Sequence, residues 1–193
     1  CTSTVTVTET GLPIANCFND VHVALDQNGE ALVTAAQIDD NSFDYCCEIA
    51  NTWIEFTDPT VVNNYVNCSH VGMTLEVTLY VEDCGGNIGW CTGSVFVEDN
   101  YAPIITHCPA DQMAVENDFG FCGAQITLEA LEAEDNCPLV YEYSTDGGAT
   151  WTTGNNASGY YEVGVTTIMW VVTDPQGNTD TCETTIEVLD LED

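Results

Sequence analysis

Apolar residues recur at every second position over several short runs: Val5 and Val7, Val21/Val23/Leu25, Leu75/Val77/Leu79/Val81, Val95 and Val97, Ile168/Trp170/Val172, and Ile186 and Val188. Successive side chains of a strand point to opposite faces, so this period of two marks half-buried β-strands. The runs are punctuated by turn chemistry, as in Asp26-Gln-Asn-Gly29, Glu82-Asp-Cys-Gly-Gly-Asn87 and Asp174-Pro-Gln-Gly-Asn178. Short alternating strands between such turns predict an all-β sandwich. No segment of useful length carries a helical period. Trp170 falls on the apolar side of its run and is expected in the core. Trp53 sits in a similar mid-strand context, and Trp90 adjoins Cys91. As sugar-stacking platforms these tryptophans would have to be exposed and clustered.

The pattern repeats with a period of about 91 residues. Three segments open on cysteine and then alternate: Cys1-Thr-Ser-Thr-Val-Thr-Val-Thr-Glu, Cys91-Thr-Gly-Ser-Val-Phe-Val-Glu-Asp and Cys182-Glu-Thr-Thr-Ile-Glu-Val-Leu-Asp. Nearly the same offset relates Pro13 to Pro103, Cys17 to Cys108, Cys46 to Cys137, Asp83 to Asp174, Gly86 to Gly177 and Asn87 to Asn178. So many matches in one register define a tandem array. Residues 1–10 then read as the last strand of a preceding repeat, 11–100 as one complete repeat and 101–193 as a second. The strand-like start at Cys1 reads as a piece of something longer.

Charge narrows the partners. The 193 residues hold 32 Asp plus Glu, no Lys and no Arg, for a formal net charge of −32. Charged residues make up 17% of the chain, so acid is only modestly enriched while base is missing altogether. No Lys or Arg salt bridge can form, and self-repulsion must be relieved by salt or bound cations. Nucleic acid and anionic membrane surfaces call for the opposite sign and are excluded as partners. No run reaches the roughly 20 apolar residues of a membrane span, so direct membrane insertion is not expected. Eleven cysteines without a CxxC or a zinc-spaced Cys/His cluster point to disulfides and an oxidising, extracellular compartment.

The second repeat resembles the hyalin-repeat (HYR) domain, an immunoglobulin-like adhesion module. The matching pieces are Ala102-Pro-Ile-Ile-Thr-His-Cys-Pro-Ala-Asp111, Cys122-Gly-Ala, Glu134-Asp-Asn-Cys137, Val163-Gly-Val-Thr-Thr167 and Thr173-Asp-Pro-Gln-Gly-Asn-Thr-Asp-Thr-Cys182. The first repeat resembles the related version in giant surface adhesins of Bacteroidota, gliding species included, through Cys17-Phe-Asn-Asp-Val, Leu25-Asp-Gln-Asn-Gly29, Cys68-Ser-His-Val-Gly72 and Gly86-Asn-Ile-Gly-Trp-Cys91. The resemblance implies tandem immunoglobulin-like sandwiches arranged end to end and a role in cell adhesion or filament formation. Cys47 and Cys84 depart from the bacterial pattern, so an extra bridge is expected in the first repeat. The cysteines partition as six (Cys17, Cys46, Cys47, Cys68, Cys84, Cys91) and four (Cys108, Cys122, Cys137, Cys182), with Cys1 left over. Even counts argue for bridges closed within each repeat. Six cysteines allow fifteen pairings and four allow three. First and last strands of such sandwiches run side by side, which favours Cys17–Cys91 and Cys108–Cys182.

Catalytic signatures are sparse, and no enzyme is expected. His22, His70 and His107 are scattered, with no HxH or HExxH pattern, and there is no GxSxG elbow or P-loop. His22, in an alternating strand, reads as a surface or ladder residue. Asn67-Cys-Ser69 and Asn156-Ala-Ser158 are formal N-glycosylation sequons. The acidic residues are placed more informatively. In an immunoglobulin-like sandwich the exit of one domain meets the B–C and F–G loops of the next. Glu98, Asp99 and Asn100 lie at the exit, Glu134, Asp135 and Asn136 in the B–C loop, and Asp174, Asn178 and Asp180 in the F–G loop. The first repeat offers Glu9, Asp39, Asp40, Asp44, Asp83 and Asn87. Oxygen-only ligands suit structural Ca²⁺, with Glu98, Asp99, Asn100, Asp135, Asn136, Asp174, Asn178 and Asp180 as the candidate set. The competing reading is a solvated acidic pole with turn-forming Asp and Asn. The expected function is a non-enzymatic repeat of a long extracellular adhesin or filament, whose partners are neighbouring repeats of the same protein. Two alternatives stand beside it: a carbohydrate-binding module for surface polysaccharide, and a separate subunit assembling by donation of residues 1–10 to a neighbour's sheet.

Overall fold

Alternating Val, Ile and Leu fill one side of each strand and polar residues the other, so the strands bury a single face and stack in two layers. The computed structural model describes residues 2–5 and 8–191. The chain divides into two compact units, residues 1–100 and 101–193.

Unit 1 contains β1 (Val21–Ala24), β2 (Glu30–Leu32), α1 (Ala35–Ile38), β3 (Ile49–Phe56), β4 (Tyr65–Asn67), β5 (Thr74–Asp83) and β6 (Ile88–Glu98). One sheet has the order β1-β6-β5-β3, with β1 parallel to β6 and the other pairs antiparallel. The facing layer is the antiparallel pair β2-β4. A β1/β6 parallel pair beside a β5/β6 hairpin is the immunoglobulin-like signature. Leu75, Val77, Leu79, Val81, Val95 and Val97 from β5 and β6 are buried, as are Val23, Val33, Ile38, Ile54 and Val66. No helical period marks the chain, yet residues 35–38 form one helical turn and 68–70 a 3₁₀ turn. Each is too short for a period of 3.6 to register. Gln37 holds the first turn by accepting the Thr34 N–H at 2.8 Å. The described parts of residues 1–10 lie outside any strand, and Cys1 lies outside the described residues.

Unit 2 contains β7 (Ile104–His107), β8 (Gln112–Glu116), β9 (Gly123–Ile126), β10 (Glu132–Glu134), β11 (Val140–Ser144), β12 (Thr152–Thr153), β13 (Gly159–Glu162), β14 (Gly164–Thr173) and β15 (Thr179–Leu189). Its large sheet runs β12-β11-β14-β15-β8, again with a parallel pair, β8 on β15, beside an antiparallel hairpin. Pairs β13-β9 and β10-β7 supply the second layer. Trp170 is 1% exposed at the centre of this core. Its indole N–H donates to the Thr184 hydroxyl at 3.0 Å, which donates in turn to the Pro109 carbonyl at 2.7 Å. Trp53 departs from the expectation raised by its mid-strand position. It lies on the outer face of β3, stacked on Tyr80 with ring centroids 5.2 Å apart, because the β3 register turns Ile54 inward instead. Trp90, opposite Tyr80 on β6, is exposed.

In each unit a disulfide joins the first strand region to the last. Cys17 pairs with Cys91 and Cys108 with Cys182, both across 74 positions. The extra bridge of unit 1 is Cys47–Cys84. Cys68 and Cys137 are also disulfide-bonded. One expectation fails: Cys46 and Cys122 are free and exposed, so the ten cysteines are not all bridged within their repeats. The reason is local. The Asp44 carboxylate accepts the N–H groups of both Cys46 and Cys47, fixing a turn in which Cys47 reaches Cys84 while Cys46 faces Glu9. Hydrogen bonding to Glu9 pushes the Cys46 thiol upward, keeping it protonated.

Candidate cation site

The β5–β6 and β14–β15 turns show how an unpartnered carboxylate is held in a chain without Lys or Arg. Asp83 is 1% exposed, and its Oδ1 accepts the N–H groups of Gly85 and Asn87, both at 2.8 Å. Its Oδ2 accepts the Asn87 amide at 2.8 Å. Asp174 repeats the device: Oδ1 accepts from Gly177 at 2.7 Å and Asn178 at 2.8 Å, and Oδ2 accepts the Asn178 amide at 2.8 Å. Three donors aimed at one carboxylate favour its charged form, and the Asn87 side chain foremost holds Asp83 below its ordinary range. Gly86 and Gly177 take φ of 82° and 94°, the left-handed backbone that each turn requires.

Unit 1 gathers two overlapping acidic groups. Ligand atoms of Glu9, Asp44 and Cys46 lie within 4.8 Å of one another, as do those of Asp44, Cys47 and Asp83. Cys47 is bridged to Cys84 and offers no thiolate, so oxygen is the only strong donor in that second group. Glu9 is further tied to the backbone N–H of Gly11.

The residues expected to form one calcium cage are not equally available. Glu98 ends β6 with its carboxylate 2.6 Å from His22 Nδ1, which is already a partner. Asp180 accepts the backbone N–H of Ile105 at 2.8 Å and that of Thr181 at 2.8 Å, joining β15 to β7. Asp99 is 2% exposed and Asn100 is exposed; both close unit 1. In unit 2, Asp135 and Asn136 follow β10, and Asp135 Oδ1 accepts the Cys137 N–H at 2.8 Å. Asn178 also donates to the Tyr101 carbonyl at 3.1 Å. The donor chemistry is that of hard oxygen ligands, which fits Ca²⁺. In unit 1 Glu9, Asp44 and Asp83 would offer such oxygens, while in unit 2 both oxygens of Asp174 are taken by Gly177 and Asn178 of its own turn.

Sequence spacing missed three polar arrangements. Buried His70 accepts the Asn67 N–H on Nδ1 at 3.0 Å, so its Nε2–H faces the Thr60 hydroxyl at 2.9 Å, which reaches Asp58 at 2.6 Å. The hydroxyl stands between imidazole and carboxylate, the reverse of a catalytic triad, and the network pins the 58–70 connection. His107 meets Glu129 at 2.9 Å, and His22 meets Glu98 across the β1/β6 pair. None of these pairs has a sequence spacing that marks it.

No family model and no curated protein matches the chain. Solved structures with a similar chain path include three sets of cadherin domains. Protocadherin gamma B7 extracellular cadherin domains 1–4 are 16% identical with a TM-score of 0.34, over 93% of this chain and 51% of that one. Mouse cadherin-23 EC22–24 is 16% identical with a TM-score of 0.37, over 94% and 68%. Drosophila N-cadherin EC1–3 is 12% identical with a TM-score of 0.35, over 93% and 67%. The chain thus spans about half the length of the first of these. At this level of likeness nothing those proteins bind is carried over to this chain.

Proposed function

We propose that the chain is a non-enzymatic structural and adhesive segment of a long extracellular surface protein or filament, of the hyalin-repeat or bacterial-adhesin type. Its partners are neighbouring repeats of the same protein. The observation that carries this reading is the duplicated staple. Both units tie first to last strand by a disulfide spanning 74 positions, and both close their last hairpin on a buried Asp–Asn turn. A linear array needs the same self-sufficient unit again and again. Immunogold labelling of intact producing cells with antibody to the chain tests it. Label along surface fibres is the expected result, and label confined to the cell interior overturns it.

Structural Ca²⁺ belongs to the same reading. Like charges about 4 Å apart cost about 4 kcal/mol at an effective dielectric near 20, and no Lys or Arg is present to offset them. A cation held by the acidic loops would stabilise the folded state by mass action. Melting temperature after chelation should rise more on adding millimolar Ca²⁺ than on adding Na⁺ of equal ionic strength. Equal response to both ions leaves a solvated acidic surface as the answer.

A further inference from the structure

The large sheet of unit 2 buries Ile168, Trp170 and Val172 on one face of β14. On that same inward face the apolar pattern stops short of the sheet's edge. Thr166 precedes Ile168 by two positions on β14, and Tyr143 lies opposite Trp170 on β11. Thr152 lies opposite Tyr143 on the edge strand β12. Hydroxyl-bearing side chains thus continue the row at partly or fully exposed positions.

The Tyr143 ring packs on Trp170, but all three residues stay at least partly exposed. With Thr145, they line an open cleft of about 420 Å³ whose far wall is β13, chiefly Tyr160, Tyr161 and Glu162. Its volume falls within the roughly 300–1,000 Å³ typical of small-molecule sites. The hydroxyls of Tyr143, Thr145, Thr152 and Thr166 make no side-chain hydrogen bond within the described residues, whereas the Tyr160 ring lies over Gly123 of β9. Tyr161 differs: its hydroxyl is engaged by the Ala157 carbonyl at 2.5 Å, which leaves its ring as wall. Strand β13 pairs only with β9, so its other backbone edge adds amide donors and carbonyl acceptors.

We propose that this cleft is a binding site for a neutral, polyhydroxylated ligand, a segment of uncharged polysaccharide. Hydroxyls both donate and accept, which suits sugar hydroxyls. One carboxylate, Glu162, adds a strong acceptor. The chain's charge of −32, with no Lys or Arg, repels an anionic polymer. The inference goes beyond the structural reading above and does not rest on it. Water alone would fill the cleft if no ligand uses it.

The test is saturation-transfer NMR and titration of the full chain with neutral hexasaccharides (β-1,4-glucan, β-1,3-glucan, β-1,4-xylan, β-1,4-N-acetylglucosamine). Trigalacturonate and hexalysine serve as charged controls. At least one neutral sugar should bind. Thr145→Val with Thr166→Val, which keeps shape and removes two hydroxyls, should weaken that binding about tenfold or more with an unchanged melting curve. Trp90→Ala, on the exposed aromatic row of unit 1, should leave that binding unchanged and so locates the site. The proposal is overturned if no neutral sugar binds, if trigalacturonate binds as tightly, if the double valine variant binds like the parent, or if only Trp90→Ala abolishes binding.

Discussion

Asp146 illustrates how single carboxylates are stabilised without a basic partner. It accepts the Thr150 hydroxyl at 2.6 Å, the Thr150 N–H at 2.9 Å and the Ser144 hydroxyl at 2.7 Å, and Thr150 foremost lowers it from 3.8 to about 2. Because folding lowers this value, the stabilisation is complete above the unfolded 3.8 and disappears as pH falls through about 2. Asp146→Ala should therefore lower the urea midpoint at pH 6, and the difference from the parent should close near pH 2. His22 runs the other way. Its bond to Glu98 foremost raises it above 6.5, so its contribution is complete below 6.5 and is lost as pH rises through the folded value. An NMR titration should find the His22 imidazole above 6.5, and Glu98→Gln should bring it down. Calcium should leave it unmoved, since Glu98 is committed to His22; a fall on adding calcium would return Glu98 to the ligand set. Deep in unit 2, Thr184→Val strips the Trp170 indole and the Pro109 carbonyl of their shared partner. Buried groups left unpaired cost about 1–3 kcal/mol, measurable as a shift in denaturant midpoint without a change in slope.

At the level of elements, the alternation of Leu75 to Val81 and Ile168 to Val172 was enough to locate the central hairpins. Their inward residues are buried as the period of two requires. The last-strand cysteines were readable too, because the repeat placed Cys91 and Cys182 in the same frame. Counting cysteines by repeat failed at Cys46, because parity carries no information on which way two adjacent side chains point. The cation set was legible only as acid near turns. Nothing in the spacing says that Glu98 is taken by His22 or Asp180 by Ile105, since those partners arrive from 76 and 75 positions away. The cleft was hidden for the same reason: Thr145 and Thr166 meet strand β13 only through the packing of two separate sheets. Strand β6 also carries a packing constraint that composition does not disclose. A Cβ on Gly93 would strike the Phe18 carbonyl and press on Ile38 at 3.3 Å. Gly93→Ala should accordingly destabilise unit 1 by about 1–3 kcal/mol, as overpacking does, while Gly120→Ala, where the added atom meets nothing, should cost only its backbone strain at φ 79°.

For the molecule as a whole, 32 acidic groups repel one another through solvent. Melting temperature should climb as NaCl is raised from about 10 to 150 mM, where the screening length shrinks from about 30 to 8 Å; a flat response would mean the charges are already neutralised by tightly held cations. The disulfides that close each unit also decide what happens when the chain is pulled. Tension entering unit 1 at Cys17 crosses the sulfur bridge to Cys91 and never loads the residues between them, and the 74-position separation recurs at Cys108–Cys182. At about 3.4 Å per extended residue, roughly 250 Å of slack is locked away in each unit. Single-molecule stretching should show no large extension steps from an oxidised chain and two steps of equal size after reduction. Oxidised, such a chain behaves under load as a tether of fixed length that transmits force instead of absorbing it.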